Sequence, residues 1–128
     1  MSIRDTAIKL LEIYGRAWET KDAELITTIF TEEATYDDPK EPKNNGKEAI
    51  KKYWEYKVIG EQEDIKFDLV NLWVDGETAI AEWHATFKDV KQHCHIEMNE
   101  IAVFTVKDGL ISSFREYYKS IKTPYVNY

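Results

Sequence analysis

Metal-binding residue types occur once at strand spacing, where His93, His95 and Glu97 stand at i, i+2 and i+4. Two imidazoles and a carboxylate are good ligands in principle. On an extended strand they form a straight row, which needs a bend or a second chain to close on one ion, so no metal site is expected. Cys94 lies between the histidines and is the only cysteine of the 128-residue chain, which excludes an internal disulfide. It reads as a small buried hydrophobe in a reducing compartment. The other acid–base groups are carboxylates in a chain rich in aromatic residues, with Asp38, directly before Pro39, foremost. A carboxylate in a dry aromatic pocket loses hydration and holds a proton more tightly, which suits it to proton abstraction.

Composition restricts the partners. Seventeen basic and twenty-four acidic residues give a net charge of −7. That field repels phosphate backbones and anionic lipids, so neither nucleic acid nor a membrane surface is an expected partner. Aromatic residues make up 13% of the chain, including four Trp and eight Tyr, which argues for a packed core rather than disorder. No apolar run approaches the roughly 18–20 residues of a membrane span. Met1–Asp5 carries no basic start leading into an apolar core, so no secretory signal is read and a cytoplasmic location is expected.

Residues 5–19 are predicted to form a helix, because Ala7, Leu10, Leu11, Tyr14, Ala17 and Trp18 share one face, with Asp5 as cap or first-turn acid. Asp22 caps a second helix over 23–30. A short strand follows at 34–37 and ends at Pro39 and Pro42. After a polar loop, a third helix is expected over 47–59, with Tyr53 and Trp54 in its buried stripe and Gly60 as its stop. The period then changes to two. Strands are predicted at 65–69, 79–88, 93–106 and 110–119, with Asp75–Gly76 and Asp108–Gly109 as hairpin turns. The tail over 122–128 reads as irregular, with Tyr125, Val126 and Tyr128 able to pack down. Helices followed by an antiparallel sheet give an α+β domain spanning 1–128, with its core over about 5–119.

The run Leu25–Trp54, "LITTIFTEEATYDDPKEPKNNGKEAIKKYW", has the order helix, strand with Asp-Pro, loop, glycine, aromatic-bearing helix. With "GETAIAEWHATF" and "IAVFTVKDGLISSFREYY" behind it, the chain resembles SnoaL-like domains of the nuclear transport factor 2-like superfamily, relatives of the ketosteroid isomerases. The resemblance implies a cone-shaped α+β barrel with N-terminal helices packed on a curved antiparallel sheet. It is specific for fold and weak for activity, since isomerases, cyclases, hydrolases, dehydratases and binding domains share this fold.

The resemblance also sets the phase of the strands. Asp38 matches the isomerases' base and Tyr14 their oxyanion-binding phenol. From these, alternation places Tyr36, then Glu82, His84 and Thr86, on the pocket side. The next strands add Cys94, Ile96, Met98, Glu100, Ala102 and Phe104, then Phe114, Glu116 and Tyr118. Trp18 and Trp54 come from the helices. The isomerases' protonated acid aligns with Ala102, so steroid isomerisation is not expected. The acid that follows the aromatic pair in the cyclases is Lys119 here. The opposite face, carrying Ala81, Trp83, Ala85, Phe87, Ile101 and Val103, is too apolar for water and predicts a homodimer.

Two functions follow as expectations. One is an enzyme without a cofactor that performs isomerisation, cyclisation or dehydration on a compact, partly apolar organic ligand. Asp38 would act as base and Tyr14 and His84 as polarising donors. Trp18, Tyr36, Trp54, Glu82, Met98, Glu100, Phe104, Phe114, Glu116 and Tyr118 would bind substrate. The other is a pocket that holds a ligand, or a surface that docks a protein, without reaction.

Overall fold

The computed structural model describes residues 2–125. Helix α1 spans Ile3–Glu19. Its N-cap is Ser2, whose hydroxyl accepts from the Asp5 amide at 3.1 Å, so Asp5 is a first-turn acid and not the cap. The predicted apolar stripe, Ala7 through Trp18, is buried. Helix α2, Ala23–Thr27, is capped by Asp22 as expected but is shorter than predicted, and the chain is already extended at Phe30.

Strand β1 is Phe30–Asp37 and β2 is the two-residue Asn44–Asn45. Helix α3, Lys47–Trp54, passes into a π-helical turn, Glu55–Ile59. The wider turn breaks the 3.6-residue period and brings both Lys57 and Val58 to the cavity described below. Four long strands follow: β3 Gln62–Asp75, β4 Thr78–Asp89, β5 Cys94–Lys107 and β6 Leu110–Pro124. Strand β3 exceeds the predicted 65–69 because two bulges interrupt its alternation, between Glu63 and Lys66 and between Leu69 and Asn71.

The strand order is β2-β1-β6-β5-β4-β3. The expectation of an antiparallel sheet needs correction, because β1 runs parallel to β6, with Tyr36 opposite Phe114. The sheet is therefore mixed, and the helices pack on its concave side. Gly15 marks one close approach: a Cβ there would lie 2.5 Å from Phe67 Cδ1, so only glycine lets α1 settle on β3.

The face assigned to β4 is also reversed. Ala79, Ala81, Trp83, Ala85 and Phe87 are buried, whereas Glu82, His84 and Thr86 lie on the outer, half-exposed side. The β4–β5 register explains this. It pairs Ala81 with Ala102 and Trp83 with Glu100, and paired residues share a face. The predicted faces of β5 and β6 agree with the burial pattern. The outer face thus lacks the four β4 residues assigned to it. It carries Ile101 and Val103 with the half-exposed Trp73, Tyr117 and Ile121. Strand β6 extends to Pro124, and Tyr125 packs edge-on against His95. Val126 and Tyr128 lie outside the described residues.

Candidate active site

Two carboxylate centres lie beneath the helices. The first is Glu116 on β6. Its Oε1 accepts from the phenol of Tyr14 at 3.0 Å and of Tyr36 at 2.5 Å, and the two phenol oxygens are 3.0 Å apart. Helix α1 delivers Tyr14, and β1, paired beside β6, delivers Tyr36. Glu100, on the neighbouring β5, sits beside Glu116. All four residues are buried.

Burial dominates their electrostatics. Desolvation, with the Asp38 carboxylate as a nearby like charge, pushes Glu116 up to about 7. Desolvation and the adjacent Glu116 hold Glu100 well above the usual carboxylate range. Both carboxyls are thus raised by burial, so the pair holds protons more tightly than exposed carboxylates do. Burial and the Glu116 charge raise Tyr14 and Tyr36 as well, so both phenols are donors at neutral pH.

The second centre is Asp38, directly after β1. Its Oδ2 accepts from Tyr53 at 2.6 Å, and its Oδ1 from Tyr118 at 2.8 Å and from the Lys40 amide at 2.9 Å. Both oxygens are engaged, and burial with nearby carboxylates raises the Tyr53 and Tyr118 phenols, keeping them protonated.

Between these centres and the surface lies a cavity of about 130 Å³, room for about four waters or one compact organic molecule. Its deep wall is aromatic: Tyr14 meets Trp54 edge-on at 5.5 Å and stacks on Phe114 at 5.3 Å. Trp18 donates Nε1–H to Gln62 at 2.7 Å. Two buried polar atoms on cavity-lining residues, Glu100 Oε2 and Trp54 Nε1, have no protein partner among the described residues.

The residues singled out from the sequence divide in three. Tyr14, Trp18, Tyr36, Asp38, Trp54, Met98, Glu100, Glu116 and Tyr118 line the cavity. Phe104 and Phe114 are fully buried behind it, with Phe114 stacked on Tyr36 at 4.9 Å. His84 and Glu82 are outside it, which corrects their placement on the pocket side. His84 Nε2 lies 3.3 Å from Glu97 and Glu82 accepts from Asn71, both on the outer face. The histidine row does not gather: His93 sits in the turn, and among the described residues no group of three potential ligands converges on one point. Tyr53 read only as helix stripe, and nothing in its spacing showed that its hydroxyl reaches Asp38. Gln62 and Asp89 at the cavity edge had no signal beyond being polar.

A SnoaL-like domain model matches residues 11–114. No curated protein matches the chain in sequence. Among solved structures, an NTF2-like protein from Anabaena variabilis is 21% identical, covering 91% of this chain and 89% of that one at a TM-score of 0.81. SalBIII, an epoxide hydrolase/cyclase-like enzyme with a role in pyran ring formation in the polyether salinomycin, is 22% identical over 91% and 92% at 0.76. An LEH-like epoxide hydrolase from M. tuberculosis is 16% identical over 90% and 84% at 0.74. At such identities the likeness carries the fold. The helix-covered mixed sheet and the match over most of the chain together make this protein a member of the SnoaL-like domain family, with the nuclear transport factor 2-like fold.

Proposed function

We propose that the protein is a cofactor-independent enzyme that moves protons on a compact, partly apolar carbonyl or ring compound, in an isomerisation, cyclisation or dehydration. The observation that carries this reading is the Glu116–Glu100 pair, buried under Tyr14 and Tyr36 at one aromatic cavity. Two adjacent buried carboxyl groups that share a proton supply a base and an acid in one place. Glu116 takes a proton from the substrate carbon, Glu100 gives one to the oxygen where charge develops, so that a neutral enol forms, and the two phenols hold the Glu116 carboxylate in place. The same pair would suit ring opening or closure, as in the hydrolase and cyclase named above. Asp38, with both oxygens occupied, is a weaker candidate for the base and instead fixes Tyr53 and Tyr118.

The test is hydrogen exchange at the α-carbon of cyclohexanone and 2-tetralone in D2O, followed by mass spectrometry. Exchange above the buffer rate is expected, with a loss of more than about a hundredfold in Glu116→Gln, the scale of a lost general base, and less than tenfold in Asp38→Asn. The opposite ranking returns the base role to Asp38. Binding of the ketones without exchange favours a non-catalytic ligand site, for which the unpartnered Glu100 Oε2 and Trp54 Nε1 also speak.

The proposal includes a homodimer through the outer sheet face, where Trp73, Tyr117 and Ile121 are each half exposed. Sedimentation at micromolar concentration should then give twice the 15.1 kDa of one chain, and a monomer there removes this part. A cytoplasmic site of action fits the free, buried Cys94. Fractionation that finds the protein outside the cell would overturn it.

A further inference from the structure

We infer that Gln62 is a specificity residue at the surface end of the cavity, where its amide N–H receives a second acceptor oxygen of the substrate, an ether or carbonyl oxygen remote from the reacting carbon. This rests on reading the cavity as the substrate site. Gln62 opens β3, and its ladder partner is Asp89 of β4. It is buried and lines the cavity. Its Oε1 accepts from Trp18 Nε1–H at 2.7 Å. An indole nitrogen only donates, so the amide cannot turn over: its oxygen faces Trp18 and its NH2 group points away from it. Trp18 is itself fixed, with its ring packed against Phe67 at 6.1 Å and Phe87 at 6.0 Å.

The amide nitrogen of Gln62 has no protein partner among the described residues. Nor is it one of the polar atoms sealed inside the core, so its donors are open to what enters the cavity. The charged groups around it answer one another. Lys57 pairs with Glu61 at 3.3 Å and Glu41 at 3.7 Å. Lys122 donates to Gln92 at 2.7 Å, and Gln92 donates in turn to Asp89 at 2.7 Å. The other oxygen of Asp89 accepts from the amides of Lys91 and Gln92. No excess of either sign selects the ligand at this end. The Gln62 amide is neutral and fixed in direction, so it selects for an acceptor.

The ladder orders the wall from this end inward. Asp89 stands beside Gln62, Phe87 pairs with Ile96 next, Met98 follows, then Glu100, and Glu116 lies opposite Ala102 one step deeper. An apolar stretch thus separates the oriented amide from the two carboxyl groups. The substrate that matches it has a reacting end at Glu116, a compact apolar body and a second, non-reacting oxygen at Gln62.

The test uses 4-methoxycyclohexanone and 4-ethylcyclohexanone, which share a shape and differ by one ether oxygen. The chain has two glutamines, Gln62 and Gln92, so glutamine-selective 15N labelling gives two side-chain amide signals, and Gln62→Glu assigns them by loss. The intact protein should bind the methoxy ketone about fivefold more tightly, the scale of one neutral hydrogen bond, and the Gln62 amide signal should shift more with it than with the ethyl ketone. Gln62→Glu and Gln62→Met remove the donor and should bring the affinity ratio to one or below. Trp18→Phe frees the amide to turn and should at least halve the ratio. Equal affinities in the intact protein, an unmoved Gln62 signal, a ratio that survives in both Gln62 variants or in Trp18→Phe, or no binding of either ketone would each overturn the assignment. Exchange of plain cyclohexanone, which lacks the second oxygen, reads the reacting end alone, so the two readings fail separately.

Discussion

Replacing Glu116 by Gln should change how stability depends on pH, and the size follows from its setting. Glu116 is held up to about 7, against an ordinary value of 4.5. A carboxyl raised in this way binds its proton more tightly folded than unfolded. Its contribution is complete below about pH 4.5 and is lost as pH climbs to about 7, because the unfolded chain releases its proton first. At about 1.36 kcal/mol per pH unit the loss is about 3 kcal/mol. Glu100, raised for the same reason, adds in the same direction. Glutamine keeps an acceptor for Tyr14 and Tyr36 but cannot ionise. The variant should therefore gain about 3 kcal/mol on the original chain between pH 4.5 and pH 8. Urea unfolding at both pH values reads this as a relative midpoint change of about 1.5 M, for an m-value of about 2 kcal/mol/M. Stability differences that stay within about 0.5 kcal/mol across that range would refute the buried, proton-sharing pair.

Two further outcomes test the packing and the outer face. Gly15→Ala drives a methyl group into the Phe67 ring, 2.5 Å away, where the ring is wedged between Tyr14, Trp18 and Trp83; thermal unfolding should report a loss of about 1–3 kcal/mol, and an unchanged midpoint would mean that α1 does not sit so close to β3. His84→Ala removes a half-exposed imidazole on the outer face, 3.3 Å from Glu97; the ketone exchange rate should stay within twofold, and a tenfold fall would put His84 back among the candidate reacting groups.

The amphipathic α1, the Asp22 cap, both Gly turns and the alternation of β5 and β6 were legible because each is a local pattern with its own period or turn chemistry. The phase of β4 was not, although the information was present. Asp89 pairs with Cys94 across a four-residue connection, so odd-numbered residues of β4 share a face with even-numbered residues of β5. A phase carried over from Asp38 and Tyr14 places Glu82 and His84 inside, against the continuous row Ala81, Trp83, Ala85 and Phe87 that marks the core side. The parallel pairing of β1 with β6 was equally hidden, since it joins segments about eighty residues apart with no turn to announce it.

That long-range pairing is also why the chemistry of the site could be only half read. Glu116 is one carboxylate among many in the sequence. It becomes unusual because β1 brings Tyr36 beside it, α1 sets Tyr14 above it, and β5 lays Glu100 against it. Asp38 stood out through its proline neighbour, yet the fold gives it three donors and no free oxygen. Two acids in the same aromatic cavity thus have different partners. Both are buried, but two phenols and an amide hold the two oxygens of Asp38, whereas two phenols meet on one oxygen of Glu116, which has Glu100 beside it. A group held near 7 in this way exchanges protons at little cost at neutral pH, so the differing surroundings of the two carboxylates are what favour Glu116 as the working base.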